Sequence, residues 1–65
     1  MHTYLVTFNG FGANRVIYHD QTITIEARHD WSLNAEEGAN VMFLAHEKVR
    51  EHFSKYKIVN VEMIK

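Results

Sequence analysis

A chain of 65 residues with 46% hydrophobic positions, 23% charged positions, no cysteine and no proline has room for a single domain, residues 1–65, and none for a disulfide, a thiolate metal site or a disordered tail. A formal net charge of -1, from seven basic and eight acidic side chains, argues against non-specific nucleic-acid binding and against mimicry of DNA by sheer negative charge. No apolar run is long enough for a membrane span or a signal segment, so a cytoplasmic location without membrane association is expected. A chain this small and this near neutral is further expected to gain stability as a homodimer.

Residues 1–8 (MHTYLVTF) are rich in β-branched and aromatic side chains and predict a strand, with Tyr4, Val6 and Phe8 on one face. The segment 9–14 (NGFGAN) predicts a loop with two glycines. Residues 15–18 (RVIY) and 22–27 (TITIEA) predict further strand, with Ile23, Ile25 and Ala27 on one side. The polar residues between them read as a turn or a bulge, so whether 15–27 is one bent strand or two stays open. Asn34 followed three residues later by Glu37 is a capping box, and predicts a helix over about 35–56. The last nine residues (KIVNVEMIK) predict a strand with Val59, Val61 and Met63 on one face.

The pattern is ββαβ, or βββαβ if the middle divides. Either way it is an α+β two-layer sandwich, a mostly antiparallel three- or four-stranded sheet with one helix on one face. The last strand is free to pair in parallel with one neighbour. At 100° per residue, Gly38, Met42, Ala45, Val49, Phe53 and Tyr56 share the helix stripe expected to cover the sheet. Trp31 or Leu33 is expected to close one end of the core. Phe43 and Leu44 fall on the far side of the helix among Glu36, Glu47 and Glu51. Apolar anchors ringed by polar groups are characteristic of protein-contact patches, so these five residues are the candidate partner-binding set. The uncovered sheet face is expected to show Leu5, Ile17, Ile58 and Ile64, which supplies a second candidate contact surface.

The residues argue against most catalytic chemistry. His46 and His52 are six apart in HEKVREH, so they lie about 240° apart round a helix and do not form a metal pair; no metal and no cofactor is expected. Neither Ser32 nor Ser54 sits in an activating context such as GxSxG. A domain this small rarely encloses the pocket of roughly 300 Å³ or more that catalysis needs, so the chain is not expected to be an enzyme. A single-stranded nucleic-acid binder remains an alternative, with Phe11, Arg15, Tyr18, Arg28 and Trp31 supplying stacking faces and cations. A purely structural oligomer subunit is a third reading.

The element order, carried by Tyr4-Leu5-Val6-Thr7-Phe8, Thr22-Ile23-Thr24-Ile25-Glu26-Ala27, Asn34-Ala35-Glu36-Glu37 and Lys57-Ile58-Val59-Asn60-Val61-Glu62, resembles that of small bacteriophage inhibitors of host enzymes. Two such families are the uracil-DNA glycosylase inhibitor and the short inhibitor of bacterial RNA polymerase. The resemblance covers most of the chain at the level of topology. It implies a non-catalytic protein-binding module, with Glu36, Glu47, Glu51 and Phe43 turned toward a host enzyme in the host cytoplasm.

Overall fold

The computed structural model describes residues 1–64 and is an α+β fold. Its elements are β1 (His2–Phe11), β2 (Ile17–Ala27), α1 (Ala35–Arg50) and β3 (Lys55–Met63). The sheet has three strands in the order β2-β1-β3, and both pairings are antiparallel. The order is thus ββαβ, and the last strand runs antiparallel to its one neighbour, β1, rather than in parallel with any. Lys65, the last residue of the predicted final strand, lies outside the described residues.

β1 is central because its alternation is complete. Tyr4, Val6 and Phe8 are buried against the helix, while Thr3, Leu5 and Thr7 occupy the other face. From β2 come Ile25 and Ala27, and from α1 come Val41, Ala45 and Val49, all buried. Val41 replaces Met42 at the centre of the helix stripe, since the helix is rolled so that Ala45 faces the sheet squarely; Met42 is half-buried beside it. Trp31 closes one end of the core by meeting Tyr4 edge-on at 5.9 Å between ring centres, and Leu33 is 70% exposed.

β2 is one strand with a bulge. Phe8 pairs with Gln21 and Gly10 with Tyr18, so His19 and Asp20 together oppose Asn9. Asp20 takes φ 53°, and its N–H donates to Asn9 Oδ1 at 3.0 Å. The extra residue resets the alternation, which puts Tyr18 on the helix side, against Phe53 at 5.6 Å. A second bulge reshapes β3. Thr7 pairs with Asn60 but Phe8 with Ile58, so Val59 has no partner and is 54% exposed. Ile58 and Tyr56 then turn inward with Val61 and Met63. The predicted inward place of Val59 and outward place of Ile58 are both reversed, because a strict period of two cannot register an inserted residue.

The helix stops six residues short of the predicted end. Phe53 N–H still reaches Val49 O at 2.9 Å, yet Lys55 already opposes Phe11 in the sheet. The chain must reverse there to lay β3 along β1, which moves Lys55 and Tyr56 from the predicted last turn into a strand. Lys48 and Arg50 are the basic residues of the true last turn, where the dipole favours them. The predicted start is as observed: Asn34 Oδ1 accepts from Glu37 N–H at 2.9 Å.

The β1–β2 hairpin outruns the helix. Eleven residues of β2 span roughly 36 Å against roughly 24 Å for the sixteen of α1. The molecule accordingly measures 41 × 18 × 16 Å. At the tip, Asn14 and Arg15 both lie in the left-handed region, with φ 57° and 64°. Asparagine tolerates this conformation, but arginine is held there at a cost of about 1 kcal/mol. The variant Arg15→Gly is therefore expected to raise the thermal midpoint by a few degrees in calorimetry. An unchanged or lower midpoint would show that the Arg15 side chain stabilises the turn.

Candidate functional site

The site is built where α1 leans over β2. Its helix is fixed by a small network at the point where the chain enters it. Tyr4 OH donates to His29 O at 2.5 Å and accepts from Trp31 N–H at 3.1 Å. His29 Nδ1 contacts both oxygens of Glu37 at 3.2 Å, and Glu37 Oε2 also accepts from Asp30 N–H at 2.9 Å. Ser32 bonds Asp30 through its hydroxyl at 2.6 Å and its N–H at 3.0 Å, and these hold the Asp30 carboxyl below its ordinary range. Together these bonds tie residues 29–37 to the centre of the sheet, and so set how α1 is rolled.

That roll leaves Phe43 on the solvent side, 57% exposed in the middle of the helix. Glu36, Ala39 and Asn40 precede it on the same face, and Glu47 and Arg50 follow. Leu44 turns the other way. It is half-buried and packs on the core margin rather than lying fully outside. There it lines a groove of about 460 Å³ between α1 and β2, together with Thr24, Ile25, Glu26, Glu47, Lys48 and Glu51. Three carboxylates thus face one ammonium, Lys48 Nζ, which already lies 3.5 Å from Glu51 Oε2. The predicted partner set therefore divides: Leu44, Glu47 and Glu51 line the groove, while Phe43 and Glu36 stand on the exposed helix face, with Glu47 shared between the two.

Ile25, Glu26, Thr24 and Lys48 were missed by reasoning from the sequence. The alternation of TITIEA marked Thr24, Ile25 and Glu26 as sheet residues and Lys48 fell within the predicted helix, but nothing local shows that β2 would be an edge strand with the helix beside it. The uncovered sheet face is also more polar than expected. Cross-strand rows Thr22–Thr7–Asn60 and Thr24–Leu5–Glu62 run across it, which leaves Leu5 between a threonine and a glutamate. Ile58 has left that face for the core, and Ile17 and Ile64 sit at its margins, 46% and 48% exposed.

The nucleic-acid set is split between the two ends of the sheet. Phe11, Arg15 and Tyr18 lie at the hairpin tip, whereas Arg28 and Trp31 follow the opposite end of β2, about 30 Å away along the strand. At the tip, Phe11, Tyr18, Phe53, His52 and Lys55 border a second, open groove of about 580 Å³. His46 Nδ1 and Tyr56 OH share a hydrogen bond of 2.7 Å on the β3 side. Among the described residues no three metal-ligating side chains gather, and no helix is long and apolar enough to cross a membrane. Compared with protein families, curated proteins and solved structures, the chain finds no match.

Proposed function

We propose that the chain is a non-catalytic protein-binding module that acts as a homodimer in the cytoplasm, in the manner of the small phage inhibitors it resembles, with a host enzyme as its target. The observation that carries this reading is Phe43, a large aromatic 57% exposed at the centre of a helix face that is otherwise small, polar or charged. Burying such a ring at an interface stabilises the complex strongly, and its polar surround excludes water from the contact. Glu36, Glu47 and Arg50 on the same face add charge-based selectivity more than affinity.

The test is a bacterial lysate passed over the immobilised protein, with the retained enzyme identified and its affinity then measured. Phe43→Ala is expected to weaken that affinity at least tenfold, about 1.4 kcal/mol, with an unchanged circular dichroism spectrum. Leu44→Ala should act less specifically, because Leu44 also supports the core margin. Equal retention by native protein and Phe43→Ala would remove the helix face as the contact.

A further inference from the structure

The free edge of β2 carries two unlike halves. Toward the hairpin tip, Val16, Ile17 and Tyr18 are each 46% exposed, beyond the reach of the helix. Toward the other end, Thr24–Glu26 flank the groove floored by Ile25 and Leu44 and rimmed by Glu47 and Glu51. One half is an apolar arm without cover, and the other is an apolar slot without an occupant. We infer that the occupant is a second copy of this chain: two β2 edges approach antiparallel about a two-fold axis near Gln21, so that each arm covers the groove of the other copy. This inference rests on the homodimer in the reading above and says where that dimer forms.

Three features on the molecule favour this arrangement. First, a two-fold contact must match a surface with itself, and antiparallel approach about Gln21, with the bulged His19 and Asp20 counted as one position, superposes 16–18 on 23–25 in both directions at once. Second, the charges agree. Arg15 ends the arm, and it arrives level with Glu26 at the rim of a groove that holds three carboxylates against one lysine. Third, the other edge is protected. Both edge strands are bulged, but β3 also carries Lys55 and Lys57, which blunt edge pairing, whereas β2 carries no lysine or arginine. A stable interface needs about 800 Å² from each partner, roughly a sixth of the 4668 Å² that one copy exposes. Phe43 stays outside this dimer and free for a foreign partner.

The test is sedimentation equilibrium of the full chain from micromolar to millimolar concentration, with three variants. Support is a dimer for the native chain and for Phe43→Asp, and a monomer for Val16→Asp and Tyr18→Asp with native circular dichroism. Hydrogen exchange then slows along 21–26 in the dimer only. Val16 is the primary site because it leaves the Tyr18–Phe53 contact intact, so its variant is read even if Tyr18→Asp unfolds. Four results overturn the inference: a native monomer throughout the range, a dimer that survives Val16→Asp, a dimer lost in Phe43→Asp alone, or unchanged exchange along 21–26. The protein-binding reading fails separately, when Phe43→Ala retains the captured enzyme as well as the native chain does.

Discussion

Gly10→Ala is expected to destabilise the fold by about 1–3 kcal/mol, the range for forcing extra volume into a packed site. On conformational grounds alone the change should help, since alanine in a strand is favoured over glycine by roughly 0.5–1 kcal/mol. The sign is reversed by Phe53. A methyl carbon on Gly10 would lie 2.6 Å from Phe53 Cδ1 and Cε1 and 2.7 Å from Cζ. The backbone cannot retreat, because Gly10 is paired with Tyr18 on one side and Tyr56 on the other. The ring must therefore move, and it is held edge-on to Phe8 at 5.7 Å and tilted against Tyr18 at 5.6 Å. For 65 residues the total stability is roughly 3–10 kcal/mol, so the loss is a large share of it. Urea denaturation reads it directly. The same substitution in a Phe53→Ala background should be neutral or stabilising. An equal cost in both backgrounds would mean that the ring is not the obstacle.

The places where the sequence is a sufficient guide are those where one local rule acts alone. The alternation in residues 2–8 and 22–27 and the Asn34–Glu37 box are each local, and the strand segments and the helix start they predict are observed, although β1 runs on through Phe11, past the predicted loop start at Asn9. The solvent position of Phe43 follows from helix period alone, and it too is found. The failures come from residues that answer to two elements. Val59 and Ile58 exchange faces because β3 must fit β1 through a bulge, and a bulge has no signature in nine residues of β-branched sequence. Phe53 and Tyr56 continue the helical stripe on paper, yet the core needs them under Gly10 and beside His46, so the helix ends at Arg50. Leu44 is drawn inward because α1 sits toward β2, a placement set by the Tyr4 network across 25 residues or more of chain. The groove is invisible in the sequence for the same reason. Its two walls are about 20 residues apart, and only the strand order makes β2 an edge.

Tyr4→Phe isolates that long-range tie. The ring is fully buried, and phenylalanine keeps its packing against Trp31 while deleting one oxygen. That oxygen serves His29 O and Trp31 N–H together, so both lose their partner at once. Leaving such groups unpaired in a part-buried site costs about 1–3 kcal/mol. For a domain of this length each kcal/mol lowers the thermal midpoint by about 4–8 °C. Glu37→Gln should cost less, because its amide oxygen still accepts from Asp30 N–H and only the contact with His29 is altered. The two variants separate stability from function. If the network acts by fixing the roll of α1, Tyr4→Phe makes residues 29–37 exchange amide hydrogens faster and weakens partner binding even at temperatures where the chain is fully folded. If binding is untouched while stability falls, the roll of α1 is held by Val41, Ala45 and Val49 alone, and the hydroxyl serves only the loop.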